Sequence, residues 1–448
     1  MSLLARSALR TTSARIARPF ARSFTATVPK MTLDANPTAI IPADVVPLTE
    51  EHKAAVLATA PVLAEHGLTV TKQMYKTMLG NNPALRDIFS HSAQTTGVQP
   101  LALAQSVHGY AANINDLSPL VPVVIRIAEK HAALGVKPEH YKTVAENLIK
   151  ALQTVLGDAF TPELQTAWYH AYWALAKIFI EAEANLYSIG HWQGFKEFEI
   201  VSRNDESGTI SSFEFVPKDK SQLPLKKYKP GQFVTIRVWV DELGCYQNRH
   251  YSLSDAPQAD KYRVSVKRED APAGVDVPAG LVSTRVHVLK VGDTIQVAFP
   301  VGSFVLPEEL PKNVVLFSGG VGITPNLSIL NTVTQNPDGP AVSWIQAVRN
   351  PEEHVFKTHV DNLVKSSNGK VQAQAYYSEV DSVEGEGIHK GFVDVAALSD
   401  DALALADKES LYYVCGPGPF MHAVQNGLVA RGVDPKRINI EAFHAGEA

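Results

Sequence analysis

The hydrophobic positions of the chain change their period near residue 190. Between residues 48 and 187 the apolar side chains recur at steps of three and four, as in Val56, Ala60 and Leu63, and that period is typical of amphipathic helices. Turns that contain proline divide this region into about six to eight helical stretches. The pattern therefore predicts an all-α domain of about 140 residues.

The pattern after residue 195 is that of strands. Short runs of alternating apolar and polar residues, separated by turns, extend to residue 306 and favour a small antiparallel β-barrel. From residue 307 to 448, the apolar stretches 314–317, 342–347, 371–376 and 411–414 alternate with sequence that is compatible with helices. That alternation is typical of a doubly wound parallel sheet. The predicted fold is therefore multidomain, with an all-α domain, a β-barrel and an α/β domain in that order.

The N-terminal segment differs in composition from the rest of the chain. Residues 1–30 contain five arginines and many Ser and Thr, but no Asp or Glu. Such a leader is typical of a mitochondrial transit peptide, and a disordered basic tail is the alternative. Met31 follows the leader and offers a second start, which would give a cytosolic form. We interpret residues 31–47, which contain proline, as a linker to the helical domain.

Composition excludes several classes of protein. The 448 residues carry 41 Lys and Arg against 46 Asp and Glu, a net charge of −5, which gives no support for nucleic-acid binding. An apolar run of 18 or more residues is missing from the sequence, so no membrane span is predicted. The two cysteines, Cys245 and Cys415, lie far apart and suggest no disulfide framework, which fits a reducing compartment. We expect a monomer.

Several side chains of the helical region could serve a haem. A haem iron needs an axial ligand, usually a histidine, and a distal face that controls what the iron binds. His131 ends one helical stretch, Tyr75 lies within another, and Phe89 lies at a corner. Gln99 and Leu103 are four residues apart and share one helix face. Taken one by one, these residues are explained equally well by structural roles.

The same residues stand in a stretch that resembles the globin domain of flavohaemoglobins. The resemblance rests on residues 74–79, Asn82-Pro83, Ile88-Phe89, Gln99 and residues 127–131, and continues through Tyr141 and Glu183. It implies that His131 is the proximal iron ligand and that Tyr75 and Gln99 form the distal pair. It also implies that Leu103 lines the pocket and that Phe89 packs on the porphyrin. Since the chain has no C-x-x-C-H motif, the haem would be a non-covalent haem b.

The resemblance also implies a proximal hydrogen-bond set. Glu183 would accept the ring N–H of His131, and Tyr141 would support the carboxylate. A carboxylate partner raises the basicity of the imidazole, and a more electron-donating ligand favours oxygen chemistry over oxygen storage. A solvated charge at Glu183 is the structural alternative.

The region from residue 195 to 448 resembles the ferredoxin-reductase-like family. Arg249-His250-Tyr251-Ser252 matches the R-x-Y-S flavin motif of that family, with His250 at the variable position. The resemblance implies that Arg249 pairs with the FAD pyrophosphate, that Tyr251 packs on the isoalloxazine and that Ser252 reaches the flavin N5 edge. A helix start suits a pyrophosphate as well. The other positions implied for FAD are Gln232, Lys267, Gly280, Leu281, Val282 and Ser283.

The nicotinamide nucleotide has its own motifs. A glycine loop that follows a buried strand lets the backbone approach phosphate closely. The positions that match the family's G-x-G-x-T-P loop are Gly320, Gly322, Thr324 and Pro325, and its C-G-P motif matches Cys415, Gly416 and Pro417. Arg349 follows a strand and could bind a 2′-phosphate, although a surface turn explains it too. The sequence therefore leaves NADH and NADPH open.

The C-terminal residues complete the resemblance. Phe443 matches an aromatic residue expected over the flavin ring, and Ala442 replaces a cysteine that is common in bacterial relatives. Glu441 and Lys130 are expected near the domain junction, on the approach between haem and flavin.

The resemblance implies a nitric oxide dioxygenase. Such an enzyme converts nitric oxide and O2 to nitrate with electrons from NADH or NADPH, passed through FAD and haem, and detoxifies nitric oxide under nitrosative stress. Three alternatives stay open. The protein could be a flavin reductase that uses haem to reduce peroxides or dyes, a gas sensor whose reductase resets the iron, or a haem-free reductase on a degenerate globin.

Overall fold

A computed structural model describes residues 36–443, apart from residues 272–273 and 275–278. The predicted leader at residues 1–30, the start of the predicted linker and residues 444–448 lie outside the described part. Three structural regions follow one another along the described chain, in the order that the hydrophobic pattern predicts.

The helical region extends from Glu50 to Ile189. Thr49 caps its first helix, because the Thr49 side chain accepts a hydrogen bond from His52 N and two acidic residues follow in the first turn. Gly135, with a φ of 73°, ends the fifth helix four residues after His131. The helices of the described residues are α1 (Glu50–Ala58), α2 (Ala60–Asn81), α3 (His91–Thr95), α4 (Val98–Ala112), α5 (Val121–Leu134), α6 (Pro138–Leu156) and α7 (Pro162–Ile189).

The described part of the predicted linker is folded onto the helices. A short 3-10 helix, Pro37–Ile40, begins it, and Ile40, Ile41 and Val45 pack against a buried cluster on α5, α6 and α7. Tyr169 donates a hydrogen bond to Asp44 at 3.0 Å. Burial of these apolar side chains explains why residues 37–47 form an ordered extension of the helical region and not a free connection.

The second region is a barrel. Its antiparallel strands are β1 (Phe195–Asp205), β2 (Ile210–Pro217), β3 (Phe233–Val240), β4 (Cys245–Ser252), β5 (Tyr262–Lys267) and β6 (Thr294–Ala298). They are ordered β4-β3-β6-β1-β2-β5, and a bridge between Leu253 and Val264 joins the β4 side to the β5 side. One helix, α8 (Leu281–Val288), buries Val282 and Val286 in the barrel core. The predicted antiparallel barrel is confirmed.

The third region is a parallel sheet with helices. Its strands are β7 (Asn313–Gly319), β8 (Ala341–Val348), β9 (Val371–Tyr377), β10 (Ile388–Lys390), β11 (Leu411–Cys415) and β12 (Ile438–Glu441), and its helices are α9 (Ile323–Thr334), α10 (Lys357–Ser366) and α11 (Gly418–Ala430). The order β10-β9-β8-β7-β11-β12 reverses between β7 and β11. Ligands bind at such a switch point, beyond the carboxyl ends of the strands. The predicted doubly wound domain is confirmed.

Within the described residues, no single helix is both long and apolar enough to cross a membrane. The pair α1 and α2 meets that test only jointly, on length and composition, and it is bent by 65° at its break. Apolar side chains of this pair, such as Val56, Leu63 and Met74, are buried in the helical core.

Candidate haem, flavin and nucleotide sites

Three helices bring together the predicted proximal residues. His131 on α5 lies with its Nδ1 2.8 Å from Glu183 Oε1 on α7. Tyr141, in the first turn of α6, donates a short hydrogen bond to the same carboxylate oxygen. Glu183 is 3% exposed and His131 is 33% exposed. Because Nδ1 is engaged by the carboxylate, Nε2 is the ring nitrogen that can bind a metal.

The surroundings keep Tyr141 protonated. Burial, and then the neighbouring carboxylate of Glu183, raise the pKa of Tyr141 far above its ordinary value. Tyr172 holds the start of α6 in place by donating to the backbone oxygen of Tyr141 at 2.7 Å. Tyr141 therefore acts as a fixed donor, and Glu183 can accept from two groups at once.

The predicted distal residues lie on α2, on α4 and between them. Tyr75 is buried on α2, and burial raises the pKa of its hydroxyl, although a hydrogen bond with the Gln99 side chain partly offsets the effect. The ring of Phe89 meets that of Tyr75 edge-on, with 5.4 Å between centroids. Thr71, one turn before Tyr75, donates to the backbone oxygen of Pro100 at 2.7 Å. This buried bond sets α2 against α4 and so brings Tyr75 and Gln99 together.

These residues fit a haem. The donor set is one histidine with Nε2 available and a buried tyrosine paired with a glutamine. Three partly buried apolar side chains lie beside these residues. Phe89 and Leu103 pack against the core that contains Tyr75, and Ile127 packs against the core that contains Tyr141. A neutral imidazole oriented by a carboxylate is the usual arrangement for an iron ligand, and apolar walls suit a porphyrin.

The predicted flavin residues lie along the end of β4 and the start of α8. Arg249, Tyr251 and Ser252 all belong to β4, and Arg249 donates to Ser92 of α3 at 2.6 Å. Nδ1 of His250 and the hydroxyl of Thr235 share a hydrogen bond of 2.8 Å. Burial, and then the charge of Lys130, lower the pKa of His250 to about 3, so this ring is neutral.

The start of α8 has the form that a phosphate site requires. Gly280 is its N-cap, and Leu281, Val282 and Ser283 begin the helix. The Val282 side chain points into the barrel core, so only its backbone N–H can serve a ligand. A helix of this kind presents free N–H groups to an anion. The two remaining predicted residues are engaged locally, since Gln232 accepts from Lys229 N at 2.9 Å and Lys267 pairs with Glu269 at 3.3 Å.

The two nucleotide loops meet at the switch point. A Cβ atom on Gly322 would lie 2.3 Å from the backbone oxygen of Cys415, so only glycine allows this approach. Gly320 has a φ of 53°, which also favours glycine. Thr324 and Pro325 are buried at the start of α9, and the Thr324 hydroxyl donates to Val321 O at 3.1 Å. This threonine therefore shapes the loop.

Cys415 ends β11, next to Gly416 and Pro417. The thiol is fully buried, and burial raises the pKa of Cys415 well above its ordinary value, so it stays protonated. In the parallel pair of β11 and β12, Cys415 stands in register with Glu441. Phe443 follows Glu441 closely and is 41% exposed, so its ring is accessible to a ligand.

Comparison with known proteins agrees with this arrangement. The profile described as "Globin" matches residues 72–179, and the profile "Oxidoreductase NAD-binding domain" matches residues 316–426. A flavohemoprotein of Bordetella parapertussis is 42% identical over 409 residues, which is 89% of this chain and 99% of that protein. The chain belongs to the flavohemoprotein family.

Other flavohemoproteins lead to the same assignment. That of Oceanobacillus iheyensis is 37% identical, over 87% of this chain and 94% of its own. A flavohemoglobin from Malassezia yamatoensis, solved with bound FAD and heme, superposes with a TM-score of 0.78 at 27% identity and covers 88% of this chain and 99% of its own. The FAD/NAD-binding domain of a Vibrio cholerae nitric oxide dioxygenase matches 55% of this chain at 34% identity, with a TM-score of 0.50 and 98% of its own length covered.

Lys130 and Glu441, which the resemblance places near the domain junction, belong to α5 and β12 respectively. Burial raises the pKa of Glu441 to about 7, and the charge of Lys130 partly offsets that rise. Beside them, Ser303 of the barrel region donates to Glu129 of α5 at 3.1 Å. Burial raises the pKa of Glu129 to about 7 as well.

Sequence reasoning missed the polar contacts across this junction. Neither Glu129 with Ser303 nor the contacts of β4 with Asp87 and His91 were expected. The partners are separated by more than 150 residues along the chain. No local pattern marks such pairs, and only the buried polar residues within β4, Gln247 and Asn248, depart from the usual composition of a strand core.

Proposed function

We propose that this protein is a nitric oxide dioxygenase that converts nitric oxide and O2 to nitrate with electrons from NADH or NADPH. One observation carries the proposal. A half-buried His131 is held by the buried side chains of Glu183 and Tyr141, and a buried Tyr75 is paired with Gln99, in the same chain as a flavin-type reductase. The relatives in the flavohemoprotein family support it, and the Vibrio neighbour is a nitric oxide dioxygenase by name.

When bound, haem supplies the iron at which the gases react, and FAD turns the two-electron hydride of NAD(P)H into single electrons. The chain's own residues prepare these steps. Glu183 holds the Nδ1 proton of His131, fixes the tautomer and raises the basicity of the ring, so that Nε2 is a strong electron donor. Tyr141 fixes the orientation of that carboxylate.

On the distal side the Tyr75 hydroxyl is the donor. Because its pKa is raised by burial, it stays protonated at neutral pH and can donate to a ligand that carries negative charge. A hydrogen bond to a charged group is worth about 1.5–3 kcal/mol, so the hydroxyl would stabilise an anionic group bound beside it. Gln99 engages the hydroxyl and orients it.

The test is nitrate formation by the full-length holoprotein. Each nitrate made from nitric oxide and O2 needs one electron, so one NAD(P)H should yield two nitrates. We expect rapid loss of nitric oxide with that yield. In Tyr75→Phe we expect the loss to slow about tenfold or more, in line with the energy of the missing hydrogen bond.

Tyr110→Phe is the matched control. Tyr110 is also buried in the helical region, but its hydroxyl donates to the backbone oxygen of Ala171 at 2.9 Å. That variant should keep the wild-type rate. Oxidation of NAD(P)H without faster loss of nitric oxide would contradict the proposal and favour the peroxide reductase or the sensor. A purified protein without a Soret band would favour the haem-free reductase.

We also propose that residues 1–30 direct the protein to mitochondria and that the enzyme works as a monomer. The acid-free, arginine-rich composition of the leader supports the first point. The presence of the haem, flavin and nucleotide residues in one chain supports the second, because electron transfer needs no second copy. Sequencing the N-terminus of the protein from isolated mitochondria tests the targeting. Measuring the mass of the purified protein in solution tests the monomer.

A further inference from the structure

Strand β4 is hydrogen-bonded to the segment of the helical region between α2 and α4. Tyr246 N donates to the Asp87 carboxylate at 2.9 Å, and Asn248 Nδ2 donates to the backbone oxygen of Asp87 at 2.7 Å. Gln247 Oε1 accepts from His91 N at 2.8 Å. We call Asp87, His91, Gln247 and Asn248 the clamp.

The clamp pairs buried polar groups of β4, namely both polar atoms of the Gln247 amide and Nδ2 of Asn248. Gln247 is 2% exposed and Asn248 is 7% exposed, so their amides lie away from water. Among the strands of the described residues, β4 is the last in the order of its sheet, so the outward N–H of Tyr246 meets no neighbouring strand there. Asp87 satisfies that N–H. Since an unpaired buried polar group is costly, these bonds hold the segment in one position.

Phe89 lies inside the clamped segment. Asp87 precedes it by two residues and His91 follows it by two, and both are tied to β4. Arg249 of the same strand also donates to Ser92, directly after His91. The backbone at Phe89 is therefore held at both ends by the barrel region.

The ring of Phe89 transmits this position to Tyr75. The two rings meet edge-on at 5.4 Å between centroids, and Tyr75 is almost fully buried. Packed aromatic pairs have preferred geometries, so a shift of Phe89 changes the orientation of the Tyr75 ring. The direction of the Tyr75 O–H bond follows that ring.

We propose that the clamp positions Phe89 and, through it, Tyr75, so that the barrel region sets the strength of the hydrogen bond that Tyr75 donates on the distal side. Asp87 and Gln247 are thus positioning residues for the reaction, although they belong to the contact between two domains. This inference rests on the proposed function, which gives Tyr75 its role as the donor.

The experiment uses the full-length holoprotein without coenzyme. Asp87→Ala and Gln247→Leu remove clamp bonds, and Phe89→Leu removes the ring that transmits them. We expect each to speed oxygen dissociation from the reduced protein by about three- to tenfold, the effect of losing part of one hydrogen bond. The stretching frequency of carbon monoxide in the reduced protein should rise at the same time, since it reports donation by Tyr75.

Two controls separate positioning from general damage. Asp87→Asn keeps an oxygen that can accept from Tyr246 N and should restore the wild-type rate. Asp44→Ala removes a surface bond to Tyr169, away from the clamp, and should leave the rate unchanged. If Asp87→Ala fails to fold or to retain haem, Gln247→Leu and Phe89→Leu test the same inference.

A double-mutant cycle decides the outcome. Tyr75→Phe alone should speed dissociation, and a clamp variant added to Tyr75→Phe should add nothing. If Tyr75→Phe has no effect, the distal role in the proposed function fails. If Tyr75→Phe speeds dissociation, two results would overturn the role of the clamp. One is that the clamp variants release oxygen at the wild-type rate. The other is that a clamp substitution speeds dissociation as much in the Tyr75→Phe background as it does in the wild-type background.

Discussion

The two predicted sides of the haem site are held in different ways. The proximal hydrogen-bond set, His131, Tyr141 and Glu183, lies wholly within the helical region and meets at one carboxylate oxygen. The distal side depends on an aromatic contact with Phe89, and the segment that carries Phe89 is tied to a strand of the barrel region. The proximal hydrogen bonds are therefore made within one domain, although α5 also contacts the barrel beside them through Glu129 and Ser303. The segment that carries Phe89, on the distal side, is held by bonds between two domains.

The difference follows from what each side has to do. An axial ligand needs a constant basicity, and a buried carboxylate with two donors supplies it without help from elsewhere. A distal donor must point at what the iron binds, so it needs a fixed position, and hydrogen bonds from a neighbouring domain can supply one. The comparison predicts that proximal variants act through the electronic properties of the iron and distal variants through ligand retention.

The largest effect is expected from Glu183→Gln. The amide keeps the shape and an acceptor oxygen but removes the negative charge, so His131 becomes a weaker donor. We expect turnover to fall about 10- to 100-fold, and the iron–histidine stretching frequency of the reduced protein to fall as well. Nitrate assays measure the turnover, and resonance Raman spectra measure the iron–histidine frequency.

Glu181→Gln is the control on the same helix. Glu181 is an exposed residue that pairs with Lys177 at 3.8 Å. It should leave both measurements unchanged. A Glu183→Gln protein with a wild-type stretching frequency would break the comparison, because the carboxylate would then have no electronic role.

A smaller change of opposite sign is expected from Tyr141→Phe. The tyrosine donates to the same oxygen of Glu183 that engages His131. Without that donor, the carboxylate accepts from His131 alone and the His131 bond strengthens. We expect a higher iron–histidine frequency, together with a loss of about 1–3 kcal/mol in the free energy of unfolding from the missing hydrogen bond. A lower frequency would show that Tyr141 acts only as a structural support.

Sequence pattern predicts local features of this molecule well and its contacts poorly. The run 323–334 forms α9 as its composition indicates, because helix periodicity is a property of neighbouring residues. Strands β10 and β12 were not predicted, since three and four residues are too few to show an alternation. Glu441 stands at the end of β12, and only the resemblance to a family position predicts a role for it.

The site shows the same limit. His131 and Glu183 are 52 residues apart, and their partnership was expected only from the resemblance to flavohaemoglobins. The hydrogen bond between Asp87 and Tyr246 joins residues 159 positions apart, and neither local sequence predicts that its residue contacts the other. A polar contact between domains depends on how two finished surfaces meet, so it leaves no period and no spacing in the chain.

Glu441→Gln tests the domain junction on the proximal side. Burial, and then the charge of Glu129, raise the pKa of Glu441 to about 7 from 4.5, against the opposing charges of Lys130 and Arg126. A raised pKa means that the folded protein prefers the protonated form. The stability that this preference gives is therefore present below pH 4.5 and is lost as the pH rises to about 7.

The uncharged glutamine removes the loss of stability that ionisation of Glu441 causes as the pH rises. We expect Glu441→Gln to be more stable than wild type at pH 8, by at most about 3 kcal/mol. The advantage should disappear toward pH 5, in denaturant unfolding of the holoprotein. The iron–histidine frequency should not change, since Glu441 lies outside the proximal set. A stability difference that is the same at both pH values would contradict the assigned cause.

The smallest effect should come from a change remote from both sides of the haem. Arg349 follows β8, where a 2′-phosphate of NADPH would be bound, but its guanidinium is paired with Glu353 through two nitrogens, one of them at 3.0 Å. The side chains are 53% and 30% exposed, so the pair is weak.

Glu353→Gln frees the guanidinium of Arg349, and we expect the KM for NADPH relative to NADH to fall about two- to fivefold. Arg349→Ala should move that ratio the other way. Because neither residue contacts the haem residues, both variants should keep the wild-type oxygen dissociation rate. An unchanged KM ratio in both variants would place coenzyme discrimination elsewhere on the sheet edge.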